Sequence, residues 1–506
     1  MSLIHCGGKK SKEDTIVSVP PPIEFSLRPP ADYFIEDNDC ISSKENTTLE
    51  LTKTTVFSFG LKSNEVALSN VKSGSSLESS IVAETQFGIE FSRTCDSFSC
   101  LTESGLPESW QNSFEHGGLL KICKDGFLYN RQSYEGVGLT TLYYLDRAFE
   151  RFQEMIDDRD FEIEKVRLLI LPIFKTVYNK YVDSETSSEG KLIEYITHNA
   201  GYFPKTEGAN PSPILAIFPE TSCLLDKVSG YLWESSFVSA HEFSHHIEKS
   251  YFPMFLTKEI FAPQWQQHLE DDESFETDPI LSKISYAISE SFGDLLGYYS
   301  DYASGESILA IDGFGYNRMV GFGSFKNNAP KYLNKDVVDI FLNQNSSSST
   351  TNNSLTHMNE IKAECNLPSE DPNFSDSHTI GAIIAHALDS SFKIISAWEE
   401  NQKDNEPSFS KSDIKNRYIL TVAWLKKVRE SRKKFYNVDQ QDGKQYFQIL
   451  SDALEQVLDE YFTDHAADQN KTRTIEEVKK SICSEISSSW PVIDNPPFIK
   501  QYPNCK

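Results

Sequence analysis

One short stretch of the chain, residues 239–246, constrains its fold and chemistry more than any other. It contains His241 and His245, four positions apart, with Glu242 directly after the first histidine. Apolar residues recur around them at helical spacing, which predicts a buried helix over residues 237–249. Residues four apart share one helix face, so the two imidazoles could bind one metal ion. A core helix that carries two histidines without a metal is the alternative interpretation.

A second helical segment offers the groups that such a metal centre still lacks. Within residues 283–302, Glu290 lies among apolar residues and Asp294 follows one turn later. Because a catalytic zinc ion takes three protein ligands and one open position, we expect Glu290 to be the third ligand. Asp294 would accept a hydrogen bond from a zinc-bound histidine. A solvated acidic helix face is the alternative, and other acidic residues that offer a ligand are Glu270, Glu273 and Glu276.

His-Glu-x-x-His followed by a helix with Glu-x-x-x-Asp resembles the thermolysin-like zinc metalloproteases, the gluzincins of the thermolysin and fungalysin types. Ala287 through Asp294 matches the family's Ala-Ile-x-Glu-x-x-x-Asp segment. The interval from His245 to Glu290 is more than twice the family's usual gap, which predicts an insertion. The resemblance implies that Zn2+ is the cofactor, Glu242 the general base and peptides or proteins the substrates. Structural Ca2+ is common in the family, although no loop here has the spacing to place it.

Three shorter segments also resemble the family. Asp376-Ser377-His378 opens an amphipathic helix, where the resemblance implies that His378 donates a hydrogen bond to the developing oxyanion and Asp376 holds its ring. Asn199 and Ala200 match a substrate-binding segment beside an edge strand that pairs with an extended peptide. Arg318 lies near the position of a family arginine. An ordinary polar helix start and ordinary loops are the alternatives.

The resemblance thus implies a monomeric zinc-dependent metalloendopeptidase. An aminopeptidase of related fold is the alternative enzyme, although the Gly-x-Met-x-Asn segment of that group is absent from the sequence. A catalytically impaired zinc-scaffold binding protein is a further alternative, favoured by the long interval and by the lack of a tyrosine matching the family's second oxyanion donor. Glu242 argues against it, because a purely structural zinc ion has four protein ligands and no use for a general base.

The expected fold class is α+β, with the two lobes of the gluzincin metalloprotease fold and a small β-rich region before them. We expect a mixed α/β N-terminal lobe that ends in the motif helix and a mainly α-helical C-terminal lobe. The expected ranges are a disordered tether over 1–30, a β-rich pro-segment or accessory module over 31–134, and the two lobes over 135–250 and 251–506. A flexible insertion is expected near 343–357, where serine, threonine and asparagine dominate.

Local patterns predict further elements. Glycines 136 and 138 indicate a break before a helix that begins at Leu139. The apolar run from Val166 to Val177 predicts one buried strand. Short strands are expected over 54–60, 81–85 and 88–92, and helices over 379–400, 413–432, 442–463 and 473–485.

Charge and cysteine content bear on partners and compartment. The net charge of −27 disfavours nucleic acid and anionic membranes as partners. No run of about 18 apolar residues is present, so no transmembrane segment is expected. Cys6 ends a Leu-x-x-Cys that resembles a bacterial lipoprotein maturation site without its apolar region, and an ordinary disordered tail is the alternative. The cysteines other than Cys6 are even in number, which favours an extracytoplasmic bacterial location, either secreted or as a surface or periplasmic lipoprotein. Cys483 and Cys505 are one close pair, and free buried thiols are the alternative.

Overall fold

The computed structural model shows a chain of mixed α and β structure, as the sequence predicts. The residues that it describes are 40–41, 47–58, 62–73, 76–95, 111–114, 122–123, 134–182, 189–196, 200–205, 212–218, 232–251, 279–304, 377–400, 411–435, 444–464 and 473–489. The expected tether over 1–30, the acidic stretch over 270–278 and the insertion near 343–357 lie outside these residues. The predicted domain ranges therefore stay predictions.

The strands precede most of the helices along the chain. The strands are β1 Cys40–Ile41, β2 Thr47–Ser58, β3 Lys62–Ser73, β4 Leu77–Glu78, β5 Val82–Phe87, β6 Glu90–Cys95, β7 Gln111–Phe114, β8 Ile122–Cys123, β9 Val166–Ile170, β10 Ile173–Val182, β11 Glu189–Ile196, β12 Ala200–Phe203 and β13 Ile214–Ile217. The helices are α1 Tyr134–Ile156, α2 Ser236–Tyr251, α3 Pro279–Ser304, α4 Ser377–Glu399, α5 Lys411–Glu430, α6 Arg432–Phe435, α7 Lys444–Asp464 and α8 Ile475–Ser489.

The chain divides into two compact units. The first contains the described strands, α1 as far as Glu150 and α2 as far as His246. The second contains the last turns of α1, α2 from Ile247 onward, and the helices α3 to α8. None of the helices in the described part of the chain is long and apolar enough to cross a membrane.

Two four-stranded sheets form the centre of the first unit, in the orders β12-β13-β9-β5 and β11-β10-β6-β7. Parallel neighbours occur in both sheets: the edge strand β5 pairs with β9 in the first, and β6 pairs with β10 at the centre of the second. The remaining neighbours are antiparallel except for the parallel pair β13 with β9. A buried apolar cluster links residues of both sheets: Ile89, Leu169, Phe174, Phe203, Ile214, Ala216 and Phe218.

The prediction of one strand over Val166–Val177 is wrong, because the chain turns at Leu171. Leu171 has a φ of 57°, a left-handed conformation that ends β9 and starts the passage to β10 in the other sheet. Gly88 has a φ of 59° and makes the same passage from β5 to β6. The two turns are joined because the Gly88 amide donates to Ile170 O at 3.0 Å. The two parallel strand pairs thus change sheet together.

The predicted break at Gly136 and Gly138 is also wrong, because both glycines lie inside α1. Packing explains the second one. A Cβ at Gly138 would lie 2.8 Å from Leu77 Cδ1 and 3.1 Å from the Phe87 ring. The absent side chain therefore lets α1 approach β4 and β5 closely. Gly138 therefore permits close packing of α1 on the strands and does not mark the end of a helix.

Polar contacts also join α1 to the N-terminal strands. The Phe57 amide donates to Thr140 Oγ1 at 3.1 Å, and the Tyr144 hydroxyl donates to Phe57 O at 2.7 Å. Ser79 Oγ donates to Asp146 Oδ1 at 3.0 Å. Burial raises the pKa of Asp146 to about 6, although the hydrogen bond from Ser79 opposes that shift. The N-terminal strands are thus part of the packing of the first unit.

A buried ionic network joins three helices of the second unit. Asp389 on α4 accepts a hydrogen bond from the Tyr299 hydroxyl on α3 at 3.0 Å. The same carboxylate forms an ion pair with Arg417 on α5 at 3.4 Å. Lys393 lies 2.7 Å from the other carboxylate oxygen of Asp389. Burial alone would raise the pKa of Asp389, but Lys393 and Arg417 more than offset it and hold that pKa below its usual value. Such a network specifies one arrangement of α3, α4 and α5, because each buried charge needs its partner.

Cys483 on α8 is buried and disulfide-bonded. Cys505, the nearby cysteine that the sequence offers as its partner, lies outside the described residues.

We expect Gly88→Ala to destabilise the protein by about 2–4 kcal/mol, measured by chemical denaturation. The left-handed φ disfavours alanine, and its Cβ would lie 2.5 Å from the Tyr134 hydroxyl oxygen. In a Tyr134→Phe background the cost should fall to about 1–2 kcal/mol, because only the backbone strain remains. Gly201→Ala is the matched control, since its Cβ would meet ordinary contacts from 3.4 Å outward. Equal effects at Gly88 and Gly201 would contradict this account.

Candidate metal centre

The motif helix α2 begins with a serine cap. Ser235 Oγ accepts a hydrogen bond from the Val238 amide at 3.2 Å, and Ser235 O accepts one from the Ser239 amide at 3.2 Å. A short 3-10 helix, Leu232–Glu234, precedes this cap. Phe243 and Ile247 are buried, as the apolar spacing predicts. The helix covers the expected residues and extends slightly beyond them at each end.

Within α2 the two histidines of the motif lie one turn apart. Their ring centroids are 5.1 Å apart and the ring planes are nearly perpendicular, at 89°. His241 is buried, and the Phe237 ring stacks on it with a centroid distance of 5.9 Å. His245 is half-buried. The helical spacing thus places both imidazoles where one ion could reach a nitrogen of each.

A contact inside the second unit joins α2 to α3. The Ser289 hydroxyl donates to the carboxylate of Glu248 at 2.5 Å. Burial raises the pKa of Glu248 to about 7; the Ser289 hydrogen bond opposes this shift and the negative charge of Glu290 adds to it. Glu248 lies one turn after His245, and Ser289 directly precedes Glu290. This hydrogen bond therefore ties the helix of the histidines to the helix of the expected third ligand.

His241, His245 and Glu290 form a group that could hold a metal ion. Each offers one ligand atom, and these atoms all lie within 4.8 Å of one another. Around a tetrahedral zinc ion, nitrogen and oxygen ligands at about 2.0–2.2 Å would lie about 3.3 Å from one another. The three atoms are close enough together to converge on one ion, and imidazole and carboxylate donors suit a first-row divalent metal. The sequence predicted these three residues, despite the long interval before Glu290.

Helix α4 lies close against α3 beside Glu290. A Cβ at Gly381 would lie 2.6 Å from Glu290 Cβ, 2.9 Å from Ala287 O and 3.1 Å from the Ser291 amide nitrogen. Two of these neighbours are backbone atoms, which cannot swing away as a side chain can. Only glycine permits this crossing. Gly381 therefore lets α4 pack against the turn of α3 that carries the ligand.

His246, next to the ligand His245, is held on both sides within the first unit. Its Nε2 lies 2.6 Å from Glu164 O and its Nδ1 lies 3.1 Å from the Tyr202 hydroxyl. The Tyr202 ring also stacks on His245, with a centroid distance of 6.5 Å and an interplanar angle of 28°. Tyr202 lies on β12, an edge strand of its sheet. The strand thus contacts both histidines at the end of the motif.

The other predicted site residues are placed in part. Glu242 lies in α2 between the two histidine ligands and is half-buried. Asp294 is fully buried in α3, one turn after Glu290. Ala200 is buried in β12 and pairs with Ile217. His378 lies in the first turn of α4. The predicted residues that lie outside the described part of the chain are Asn199, Arg318, Asp376, Glu270, Glu273 and Glu276.

Sequence reasoning did not assign a role to Tyr202, Glu248, Ser289 or Gly381. Gly381 had a local signal, since a glycine in the first turns of a long apolar helix indicates close packing. Glu248 had another in its position directly after the apolar Ile247, since a carboxylate that is buried with such a neighbour needs a partner. Tyr202 had no comparable signal, because its contact with His246 depends on tertiary structure.

Comparison with known proteins found no match to a family model, to a curated protein or to a solved structure. The metal-ligand group is therefore interpreted from its own chemistry.

We expect Gly381→Ala to lower metal affinity by at least about 10-fold, because the new Cβ would displace α4 or the Glu290 turn of α3. Isothermal titration of metal-free protein with Zn2+ measures the change, and thermal unfolding reports the packing defect. Ser391→Ala is the control on the same helix, since the Ser391 hydroxyl bonds only to Ala387 O of its own helix in the structure. Metal affinity in Gly381→Ala that equals the wild-type value would show that this crossing does not position Glu290.

Proposed function

We propose that this protein is a zinc-dependent metalloendopeptidase of the thermolysin-like, gluzincin type. The observation that carries the proposal is the group of His241, His245 and Glu290, whose ligand atoms lie within 4.8 Å of one another. Two imidazoles and one carboxylate are the ligand set of catalytic zinc sites that keep a fourth position open. Calcium prefers an oxygen-only cage and soft metals prefer thiolates, whereas these donors suit zinc and other first-row divalent ions. The His-Glu-x-x-His motif on a helix, with Glu242 available as general base, favours zinc among them.

When bound, zinc lowers the pKa of a water molecule and polarises a peptide carbonyl. Glu242 supplies the group that moves protons. It directly follows His241 in α2 and is not one of the three grouped residues, so its carboxylate would be available to a water on the ion. As general base it takes a proton from the attacking water, and as general acid it passes that proton to the leaving amine. Each proton gained by Glu242 is thus released in the same turnover.

Two further residues have supporting roles in this proposal. Asp294 is buried one turn after Glu290 and would accept the outer N–H of a histidine ligand, which fixes the tautomer that binds metal. His378 would donate a hydrogen bond to the developing oxyanion. Its support is the position of Gly381, three residues later in α4, against Glu290 itself. The first turn of α4 therefore begins close to the ligand-bearing turn of α3.

The proposal includes the two-lobed fold of this protease type. The support is the order of elements: mixed sheets, then the motif helix α2, then helices alone through α8 in the described residues. It also includes an oxidising, extracytoplasmic location. The disulfide at Cys483 supports this location, because reducing compartments keep cysteines as free thiols.

Glu242→Gln should retain zinc and lose peptidase activity by about 10²–10⁴-fold, because it removes the general base without touching a ligand. Zinc content by elemental analysis and cleavage of a peptide library by mass spectrometry measure both. Glu150→Gln, an exposed change on α1, is the control. A variant that binds zinc and cleaves as fast as wild type would refute this mechanism. Wild-type protein that binds zinc but cleaves nothing would favour a binding role, and cleavage confined to N-terminal residues would favour an aminopeptidase.

Glu290→Ala should reduce zinc affinity by about 10²-fold or more, because two imidazoles alone hold the ion weakly and leave extra open positions. Competition with a coloured chelator measures the affinity. Glu477→Ala on α8 is the control, since that carboxylate is exposed in the structure and bonds to Thr474. Unchanged affinity would move the third ligand to another acidic residue, with Glu270, Glu273 and Glu276 the first to test.

A further inference from the structure

Tyr202 contacts two consecutive histidines of the motif helix, and only one of them is a metal ligand. Along β12 the side chains alternate between the two faces of the sheet. Phe203 belongs to the buried cluster that links the two sheets, so Tyr202 projects to the opposite face. There its ring stacks on His245, with an interplanar angle of 28°, and tilts against His246, with a centroid distance of 5.5 Å.

The partners of His246 determine its tautomer. The Glu164 carbonyl oxygen can only accept a hydrogen bond, so the His246 Nε2 that lies 2.6 Å from it carries the proton. In a neutral imidazole the other nitrogen is then an acceptor. The Tyr202 hydroxyl, 3.1 Å from Nδ1, donates to it. Both ring nitrogens and the tyrosine hydroxyl are thus satisfied in one chain that runs from Tyr202 through His246 to Glu164 O.

This chain restrains the rotation of α2 about its own axis. His246 is buried beside Phe243 and is rotated by about 100° from His245 around the helix. A rotation of α2 about its axis that broke the hydrogen bond to Glu164 O or the one from Tyr202 would also move His245 away from the metal position. The Tyr202 ring restrains His245 independently, because the two rings lie nearly parallel with centroids 6.5 Å apart and so limit each other's rotation.

We propose that Tyr202 and His246 are positioning residues for the metal centre, with the Tyr202 hydroxyl fixing α2 through His246 and the Tyr202 ring orienting His245. This inference rests on the proposed metal site at His241, His245 and Glu290. Neither residue is a ligand, and neither contacts the reacting atoms. Their effect is to hold the histidine ligands in the binding geometry before the ion arrives, which raises affinity by lowering the cost of ordering.

Titration of metal-free protein with Co2+, followed by visible absorption, tests the proposal, because the ligand-field bands report both affinity and coordination geometry. Tyr202→Phe keeps the ring and removes the hydroxyl. We expect it to weaken Co2+ binding about 10-fold and to shift the bands at saturating metal. Tyr202→Leu removes the ring as well and should weaken binding further. Tyr143→Phe, a half-buried tyrosine of α1 in the same unit, is the matched control and should match wild type.

A double-mutant cycle separates positioning from general damage. In His246→Gln the amide nitrogen can still donate to Glu164 O, while the ring nitrogen that accepts from the Tyr202 hydroxyl is removed. It should therefore reproduce the loss seen in Tyr202→Phe, and the double variant should be no weaker than either single one. The melting temperatures of the metal-free single variants should stay within a few degrees of wild type, since one partly buried hydrogen bond contributes about 1 kcal/mol.

The outcomes distinguish the two proposals. Wild-type protein that binds no Co2+ would refute the metal centre and with it the proposed function. If wild type binds Co2+ and Tyr202→Phe binds it with the same affinity and the same spectrum, the metal centre stands and the positioning role is wrong. Additive losses in the double variant would also overturn the role, because they would show that the two residues do not act through their shared hydrogen bond.

Discussion

The orientation of α2 about its axis is the constraint on which the metal-ligand group depends. Two imidazoles on one helix face can reach the same ion only if the orientation of that face is fixed. In the first unit, His246 holds it through Glu164 O and the Tyr202 hydroxyl. In the second unit, Glu248 holds the following turn through Ser289. The residues that fix the helix thus lie next to His245 and one turn after it.

The Glu248–Ser289 hydrogen bond holds α2 against α3, but it buries a carboxylate near the negative charge of Glu290. Glu248 is buried, and its pKa of about 7 reflects desolvation, to which the charge of Glu290 adds. Since the folded pKa exceeds the usual value of 4.5, the stability associated with this group is full below that pH and declines as pH rises toward 7. A cation bound by Glu290 would remove part of that repulsion. Metal binding and the stability of the α2–α3 contact should therefore support each other.

Much of this arrangement could be predicted from sequence, because helical periodicity is local. Spacing and the surrounding apolar residues predict both α2 and α3, the shared face of His241 and His245, and the choice of Glu290, although α3 begins four residues before its predicted start. The passage between sheets at Leu171 could not be predicted, since a left-handed leucine has no sequence signature. The prediction of a helix break at Gly138 was wrong for a related reason: this glycine permits close contact with Leu77 and Phe87, which are distant in sequence. Tyr202 gave no signal, because its hydrogen bond to His246 exists only once β12 and α2 are packed together.

The second unit explains how Glu290 can be held in a fixed position on a helix that begins 28 residues after α2 ends. The length of the intervening segment matters little if α3 is fixed by other contacts. Gly381 lets α4 pack tightly beside Glu290, and Tyr299, more than two turns further along α3, bonds to Asp389 of the same α4. These two separated contacts fix both the relative register and the crossing angle of α3 and α4. Arg417 then fixes α5 to the same carboxylate. The position of Glu290 is consequently set by the helical core of its own unit, and it does not depend on the length of the segment before α3.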